Sequence, residues 1–372
     1  MLTWVEIDKR ALAHNIAAFR QQIGSETLLM PVIKGNAYGH GFLEVARLLT
    51  KNKEVDRLCV ASLNEALDLI KAKILKKPIL ILSFYDLDKE QVGLAIHNNV
   101  SFALYTHEQA VFLNTVATKL HKKVNVHLKI DTGTSRVGIL PDEALSFVKK
   151  LQKYPSLVIA GVWTHFAASE SDALFTKKQL QSFDGVQQTI QKFVPPNVVW
   201  HTSCTAATLL HQPAKKHAVR VGIGLYGLYP STAARRHIAL KPVLRWFTKL
   251  IQVKNVPTGT SIGYDATYRT KRPTRLGVLP VGYFDGFDRR FSNNGFVLVQ
   301  GKKCRILGRI CMNLTMVDVT DLPRKPKAGD RVTLIGKDKQ ESITADSLAR
   351  LATTIHYEIV DRINPQLPRI VI

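Results

Sequence analysis

Residues Pro31–Gly41 read PVIKGNAYGHG, the end of an apolar run followed by a lysine and a turn that contains three glycines. The run Leu28–Ile33 is too short and too rich in strand-forming residues for a helix, so we predict a buried strand there. Lys34 follows at the mouth of that strand, where burial lowers the pKa of an amine and makes it a usable nucleophile or proton carrier. The glycines permit a sharp turn and a close approach of a ligand to the backbone. A lysine that only snorkels at a strand end is the simpler alternative.

Length and composition indicate a globular protein with one large domain and a second one. The chain has 372 residues, of which 45% are hydrophobic and 22% charged. No apolar run approaches the roughly 18 to 20 residues that a membrane-spanning helix needs, and the start MLTWVEIDKR lacks the apolar core of a signal peptide. We therefore expect a cytoplasmic protein. The four cysteines form no C-x-x-C pair and the twelve histidines lack metal-ligand spacing, so we predict neither a disulfide framework nor a metal site.

The formal net charge of +23 is unusual for a chain of this composition. It allows a polyanionic partner, but the basic residues fall mostly in helix faces and turns and form no stripe interleaved with aromatic residues. A solvated basic surface is the favoured interpretation, and we expect no binding to nucleic acid or to a membrane. Such a surface also attracts an anionic cofactor and an anionic substrate.

Strand and helix patterns alternate regularly from residue 1 to residue 236. The predicted strands are Leu28–Ile33, Arg57–Ala61, Ile79–Ser83, Ser101–Tyr105, Val124–Ile130, Val158–Thr164, Val198–Thr202 and Ala218–Val221. Eight strands that alternate with helices over little more than 200 residues indicate a closed (β/α)8 barrel of the TIM type. An open doubly wound sheet is the alternative, but no G-x-G-x-x-G motif follows the first strand.

The pattern changes at about residue 237. Alternating stretches such as Val243–Val256 and Phe296–Cys304 are separated by turns that contain glycine, asparagine and proline. We predict that residues 237–372 form a mainly antiparallel β domain, with one helix around Thr344–Ala352 and an edge strand at Arg369–Ile372. The α/β chain is thus expected to combine an N-terminal barrel with a C-terminal β domain.

Polar residues collect at the carboxyl ends of the predicted barrel strands, where barrels of this kind place their active sites. These residues are Lys34 and Tyr38 at the first strand, Lys129, Asp131 and Arg136 at the fifth, His165 at the sixth, Thr205 at the seventh, and Arg220, Gly222 and Ile223 at the eighth. Cations, an imidazole and glycine-flanked amides at one mouth indicate an anionic cofactor that bears a carbonyl group. The turns after the last two strands suit its phosphate. His165 alone would more often be a core histidine, and Tyr38 alone a packing residue.

Several longer motifs resemble the bacterial alanine racemases, a family of barrel-type pyridoxal-phosphate enzymes. The motifs are VIKGNAYGHG, HLKIDTGTSRVG, GVWTHFA, HTSCTAATL, VRVGIGLYGLYP, IGYDATY, LPVGYFDGF, GRICMNLTMVDVT and TIHYEI. The resemblance covers nearly the whole chain. The lysine motif alone would also suit related decarboxylases and cofactor-binding barrels.

The resemblance implies a role for each matching residue. Lys34 would hold pyridoxal 5'-phosphate covalently, and Arg220 would face the ring nitrogen. The phosphate would be bound by Tyr38, Thr205, Gly222, Ile223 and Tyr357. His165 would lie near the ring, Arg136 and the backbone of Met312 would bind the substrate carboxylate, Lys129 matches a lysine that is carbamylated in some members, and Tyr283 matches a residue at the pocket entrance.

The resemblance also implies a two-base racemisation of alanine. Lys34 would take the Cα proton from the D isomer and Tyr264, in the second domain, from the L isomer, because racemisation needs a base on each face of the substrate. Arg220 cannot release its proton, so a ring nitrogen that faces it stays unprotonated and transamination is disfavoured. In this family Tyr264 and Met312 reach the site of a partner subunit, which implies a head-to-tail homodimer. The product, D-alanine, would supply peptidoglycan.

The sequence departs from the family pattern at four positions. Asn313 replaces a usual aspartate, Cys204 an asparagine, Asp265 a glycine and Gln366 an arginine. None is one of the two bases, so the departures bear on substrate preference, and a serine or broad-specificity racemase is the first alternative. A basic-amino-acid decarboxylase lacks support, because no decarboxylase-like cysteine motif is present and Tyr264 argues against it. A non-catalytic pyridoxal-phosphate-binding barrel would normally lack the β domain.

Overall fold

A computed structural model describes residues 1–212 and 214–372. The strands are β1 (Trp4–Ile7), β2 (Leu28–Pro31), β3 (Leu58–Ser62), β4 (Ile79–Phe84), β5 (Ser101–Leu104), β6 (Val124–Lys129), β7 (Leu157–Trp163), β8 (Val199–His201), β9 (Ala218–Val221), β10 (Leu244–Lys249), β11 (Gln252–Val256), β12 (Ser261–Ile262), β13 (Tyr268–Arg269), β14 (Thr274–Leu279), β15 (Phe296–Val299), β16 (Lys302–Arg305), β17 (Thr315–Asp318), β18 (Arg331–Asp338), β19 (Glu341–Ile343) and β20 (Arg369–Val371).

The α-helices are α1 (Lys9–Ile23), α2 (Phe42–Lys51), α3 (Leu63–Lys71), α4 (Lys89–His97), α5 (His107–Lys119), α6 (Ala144–Leu151), α7 (Ala173–Ile190), α8 (Thr205–Leu210), α9 (Ala345–Leu351) and α10 (His356–Asp361). Helices α3 and α5 begin where the sequence supplies a cap, because the hydroxyls of Ser62 and Thr106 accept backbone N–H groups of the first turn. Within the described ranges, no helix has the length and apolar character needed to cross a bilayer.

Strands β2 to β9 form one parallel sheet in the order β2-β9-β8-β7-β6-β5-β4-β3. The ring is joined beyond the end of β2, where Val32 bridges Cys59 and the Ile33 N–H donates to the Cys59 carbonyl at 2.9 Å. The predicted (β/α)8 barrel is therefore confirmed, and all eight predicted strands are present with ends that shift by at most two residues. The strands were visible in the sequence because parallel strands covered on both faces are nearly continuous apolar runs.

The C-terminal part is a mainly antiparallel β structure, as predicted. Its main sheet runs β16-β15-β18-β10-β1-β20, and a smaller sheet runs β11-β14-β17. The predicted stretch Val243–Val256 is two strands in two different sheets, and Phe296–Cys304 is a hairpin that turns at Gln300 and Gly301, both at positive φ. Strand β1 pairs with β10 and β20, so the N-terminal residues complete a sheet built mostly from the end of the chain.

Two compact units emerge from the pattern of internal contacts. Residues Arg10–Ala37 and Val45–Lys241 form the barrel unit, whereas Met1–Lys9, Tyr38–Glu44 and Pro242–Ile372 form the C-terminal unit. The expected division into functional domains 1–236 and 237–372 stays a prediction.

Candidate active site

The backbone turns left-handed directly after Lys34. Gly35, Asn36, Ala37 and Tyr38 have φ values of 60°, 51°, 54° and 53°. Left-handed helical backbone costs a non-glycine residue roughly 1–2 kcal/mol, and such strain concentrates at functional sites. One carboxylate supports the start of the turn, because Glu65 accepts the Gly35 N–H at 2.8 Å. The predicted burial of Lys34 is wrong, because β2 ends before it and its side chain is exposed at the carboxyl end of that strand.

Arg220 lies inside the barrel, 3% exposed, with four of its five N–H groups engaged by the protein. Nη1 contacts Nδ1 and the carbonyl of His201 at 2.7 and 3.2 Å. Nη2 donates to the carbonyls of Thr164 and Thr202, both at 2.8 Å. Burial lowers the pKa of Arg220 to about 10, so the group keeps its charge at neutral pH. Among the described residues the Nε–H has no acceptor, and it is the donor left for a ligand.

His165 follows β7 at the barrel mouth and is half-buried. Its Nδ1 lies 3.4 Å from Nη2 of Arg220. Burial, followed by the charge of Arg220 and of three further cations, holds the pKa of His165 well below its usual range. The imidazole is therefore neutral, and beside a cationic cluster it can contact an aromatic ring without adding charge.

Lys129, the last residue of β6, lies inside the barrel with 1% of its surface exposed. Its Nζ is 5.0 Å from the ring centre of Trp163, and the guanidinium carbon of Arg220 is 4.7 Å from the same ring. Burial, and then the charges of Arg136 and Arg220, lower the pKa of Lys129 to about 8. Roughly a tenth of this amine is therefore uncharged at pH 7, far more than for an exposed lysine, which titrates near 10.4.

The loop after β6 is shaped by Asp131. Its carboxylate accepts the backbone N–H groups of residues 133 to 136 at 2.8 to 3.1 Å. Burial alone would raise the pKa of Asp131, but these four donors together lower it, so the carboxylate is charged. Arg136 ends this loop with an exposed side chain. Asp131 thus acts by fixing the backbone from which Arg136 extends.

The ends of β8 and β9 meet at the predicted phosphate position. The Gly222 N–H donates to the Thr205 hydroxyl at 3.1 Å, and Thr205 begins α8. Ile223 begins a short 3-10 helix, Ile223–Tyr226. A Cβ at Gly224 would lie 2.7 Å from the Thr205 side chain, so the two segments can approach only because residue 224 is glycine. The structure therefore brings Thr205, Gly222 and Ile223 together.

Tyr38 and Tyr357 meet in the C-terminal unit, with ring centres 6.2 Å apart. A Cβ at Gly39 would lie 1.8 Å from the Val360 carbonyl oxygen, so the chain after Tyr38 packs directly on the backbone of α10. The Gly39 φ of +78° adds a second reason for glycine. The YGHG part of the motif is thus explained by packing within this unit.

Tyr264 and Met312 have strongly exposed side chains, at 68% and 54%. Tyr264 lies in an irregular turn in which Asp265 and Ala266 have φ values of 58° and 46°. The positive φ explains why glycine suits position 265, and the Asp265 carboxylate lies 2.7 Å from Nε of Arg309. Cys204, another departure, contacts the Ser169 hydroxyl at 3.3 Å.

Tyr283 lines an open cavity of about 620 Å³ in the same unit, together with Gly286, Asp288, Arg289 and Arg362. A hydrogen bond from Arg290 lowers the pKa of Asp288, which also pairs with Arg362 at 3.2 Å. Within residues 1–212 and 214–372, this cavity included, no three His, Cys, Asp or Glu side chains are grouped so as to hold a metal ion.

Sequence reasoning missed His127, Trp163 and His201, which lie behind the mouth inside the barrel. The rings of Trp163 and His201 stack with centres 5.8 Å apart and planes 5° apart. Strand periodicity was the available signal, because His127 shares the inward face of β6 with Lys129, two residues later. That signal shows which way a side chain faces but not which side chain it meets.

Comparisons with known proteins agree along the whole chain. A family model described as alanine racemase, N-terminal domain, matches residues 7–230, and one described as alanine racemase, C-terminal domain, matches residues 243–371. An alanine racemase of Halothermothrix orenii is 40% identical and covers 99% of this chain and 96% of its own length. One of Methylacidiphilum infernorum is 38% identical, with coverages of 99% and 92%.

Solved structures lead to the same family. The alanine racemase of Clostridium difficile 630 has a TM-score of 0.93 at 32% identity and covers 100% of this chain and 96% of its own. That of Bacillus anthracis, with bound L-Ala-P, has a TM-score of 0.91 at 36% identity, with coverages of 100% and 95%. Since both family models match and full-length relatives exceed 30% identity, the chain belongs to the alanine racemase family and is an isomerase of that class.

Proposed function

We propose that this chain interconverts L-alanine and D-alanine by a two-base mechanism that uses pyridoxal 5'-phosphate. Arg220 is the observation that carries the proposal. It is a buried guanidinium with four N–H groups engaged by the barrel and an Nε–H left over. Such a donor fits the nitrogen of an aromatic ring, and because Arg220 cannot accept a proton, that nitrogen stays unprotonated.

The other residues fit the same cofactor. The Lys34 amine would hold it covalently, and His165 would lie beside its ring as a neutral group. Tyr38, Thr205, Tyr357 and the amides of Gly222 and Ile223 would bind its phosphate. When bound, pyridoxal phosphate supplies a conjugated ring that withdraws electrons and makes the substrate Cα–H acidic.

Two side chains would move the proton. Lys34 would remove it from Cα of the D isomer and return it there in the reverse direction, while Tyr264 would do the same for the L isomer from the opposite face. Arg136 and the Met312 backbone would bind the substrate carboxylate. Arg220 favours racemisation over transamination, because an unprotonated ring nitrogen withdraws electrons less strongly.

Lys129 is proposed to be carbamylated. Its neutral amine can attack CO2, which forms an N–C bond, leaves a carboxylate and releases one proton to solvent. The new negative charge would face the guanidinium groups of Arg136 and Arg220, which now oppose the lysine charge. The protein grown with 13C-bicarbonate should show a carbamate carbon resonance that Lys129→Met lacks.

The enzyme is proposed to work as a homodimer with shared active sites. Large apolar side chains are exposed in one part of the C-terminal unit, including Phe284, Met312 and Leu314. They are connected locally, because the Phe284 N–H donates to the Met312 carbonyl at 3.0 Å and the Cys311 N–H to the Leu314 carbonyl at 2.9 Å. Exposed apolar patches of this kind mark protein interfaces, and a second copy of this chain is the proposed occupant.

The decisive experiment incubates the purified protein with L-alanine and pyridoxal phosphate and measures D-alanine. Serine and other amino acids in parallel test the broad-specificity alternative, and cofactor absorbance without turnover would favour a non-catalytic binding protein. Supply of D-alanine to peptidoglycan stays a prediction from the family resemblance, tested by rescue of a D-alanine auxotroph. The cytoplasmic location also stays a prediction, tested by cell fractionation.

A further inference from the structure

Four side chains form a single file of nitrogen contacts inside the barrel. Nη1 of Arg57 lies 2.6 Å from Nε2 of His127. Nδ1 of His127 lies 2.9 Å from Nε2 of His201, and Nδ1 of His201 lies 2.7 Å from Nη1 of Arg220. Both imidazoles are fully buried. The file connects Arg57, which precedes β3 at the amino end of the barrel, with Arg220 near the mouth.

The packing around the imidazoles leaves them little freedom. A Cβ at Gly161 would lie 2.1 Å from Nδ1 of His127, so only glycine leaves room for that ring. Trp163 stacks on His201 in nearly parallel planes. Cys59 is buried in the field of both guanidinium groups, but burial raises the pKa of its thiol to about 12, so it supplies no negative charge. The file is held in one geometry by apolar and neutral neighbours.

The four side chains of this file carry more protons than their three contacts can use. Three contacts between nitrogens need three protons, one for each contact. Each guanidinium contributes one donor and has no acceptor, and each neutral imidazole contributes one more, which gives four. Charging an imidazole would add a fifth, and burial with the two guanidinium charges holds the pKa of both histidines well below the usual range. Each neutral imidazole has one acceptor nitrogen, so only two acceptors serve the three contacts. The two guanidinium cations therefore compete for them.

Three arrangements of the four protons are possible. In one, both guanidinium groups donate, and the His127 Nδ1–H and the His201 Nε2–H oppose each other across 2.9 Å. The other two form the His127–His201 hydrogen bond and place the opposed protons at one guanidinium. When Arg220 donates to His201, the His201 Nε2–H donates to His127, and the His127 Nε2–H opposes Arg57. When Arg57 donates to His127, each bond reverses and the His201 Nδ1–H opposes Arg220. When Arg57 donates in this way, His201 no longer accepts a hydrogen bond from Arg220 through Nδ1. Arg220, whose Nε–H is the donor left for a ligand, is then held less firmly.

We propose that Arg57 is a positioning residue of the active site, which competes with Arg220 through His127 and His201 and thereby sets how firmly Arg220 is held. The value of this coupling for catalysis rests on the proposed role of Arg220 toward the cofactor. The coupling itself belongs to the protein and is measurable without turnover.

The test uses Arg57→Gln and Arg57→Lys, with 15N-histidine NMR of the holoenzyme. A glutamine carbonyl accepts the His127 Nε2–H, so Arg57→Gln should shift the His127 and His201 resonances to one tautomer with both protons on Nε2. Arg57→Lys keeps a donor at this position and should leave the wild-type pattern. Identical His201 resonances in wild type and Arg57→Gln would overturn the proposal, as would an equal shift in Arg57→Lys. If Arg57→Gln does not fold, Arg57→Met removes the same donor.

A double variant separates this coupling from a structural effect. His127→Phe removes both nitrogens of the intermediate ring, so adding Arg57→Gln to it should leave the His201 resonances unchanged. A further shift in the double variant would contradict transmission through His127. Arg57→Gln should also change kcat while KM stays constant, because Arg57 touches neither substrate nor cofactor. Absence of any racemase activity in the wild type would overturn the proposed function but leave the NMR result standing.

Discussion

Lys129 shows how a polar side chain inside a barrel of apolar strands links structure to pH. Its pKa is lowered to about 8 by burial and by Arg136 and Arg220, whereas an unfolded lysine titrates near 10.4. Between these values the unfolded chain binds a proton that the native chain does not. The free energy of unfolding should therefore rise as the pH increases from about 8 to about 10.4. Below pH 8 the native state carries the full destabilisation caused by burying the charged lysine.

Lys129→Met should remove that penalty. In CO2-free buffer we expect the variant to be more stable at pH 7 by up to about 3 kcal/mol, since each pKa unit corresponds to about 1.4 kcal/mol. Urea unfolding between pH 7 and 10.5 measures the gain in the free energy of unfolding. It also shows whether the rise of that free energy with pH disappears in the variant. A slope that persists in Lys129→Met would have to come from another group.

Lys34→Ala should abolish both activity and the visible absorbance of the bound cofactor, because it removes the amine that would hold the cofactor covalently. Lys89→Ala, at the exposed start of α4, is the matched control and should keep both. The measurement is an absorbance spectrum after removal of free pyridoxal phosphate. Retained colour in Lys34→Ala would assign the covalent attachment to another lysine.

Tyr264→Phe should keep the cofactor absorbance but slow the exchange of the α-hydrogen of L-alanine by at least about 100-fold, since general-base catalysis contributes typically 10²- to 10⁴-fold. Exchange from D-alanine should suffer less, because Lys34 is the base on that side. Proton exchange of each isomer in D2O, followed by NMR, measures the difference. Full L-side exchange in the variant would show that Tyr264 is not the base.

At the scale of elements, sequence patterns predicted the parts that depend on local residues. The barrel strands were readable as short apolar runs, and the structure shows α3 and α5 beginning at the capping hydroxyls of Ser62 and Thr106. Strand β1 was missed because its partners, β10 and β20, lie about 240 and 360 residues further along the chain. Helix α10 was missed because six residues are too few for a helical period to be visible.

The site was predictable to a similar extent. Strand ends placed Lys34, Arg136 and Thr205 at one mouth before any contact was known. The file from Arg57 to Arg220 was not predictable, since it joins the residue before β3 with inward-facing side chains of β6, β8 and β9. A sequence gives the direction of such side chains, but their pairing depends on the order and stagger of the strands.

Gly161→Ala tests how closely β7 packs on the imidazole file. The new Cβ would lie 2.1 Å from His127, so we expect a loss of about 1–3 kcal/mol of stability, which is typical of overpacking, and a fall in activity. Gly185→Ala, inside α7, meets no atom within 4 Å and should raise stability by up to about 1 kcal/mol. Thermal unfolding of both variants measures the contrast, and equal effects would show that Gly161 has no packing role.

At the scale of the whole molecule, the proposed dimer connects the exposed apolar residues with activity. Leu314→Asp should weaken association, because a charge in an apolar interface loses its hydration. Leu94→Asp, on an equally exposed position of α4, is the matched control. Over a dilution series of Leu314→Asp, the sedimentation coefficient and the specific activity should fall together. Sedimentation velocity and a racemase assay measure the two quantities. A fully active monomer would contradict the shared site.

The turn that follows Lys34 has a chiral consequence. From Gly35 to Tyr38 the backbone has the handedness that D-amino acids prefer, because an L-residue there brings its Cβ too close to the following carbonyl oxygen. Ala37 is thus an L-alanine held in the conformation natural to its enantiomer, inside a chain of a family that interconverts those two molecules. Chemical synthesis with D-alanine at position 37 would remove this steric cost, whereas an L-valine there would increase it.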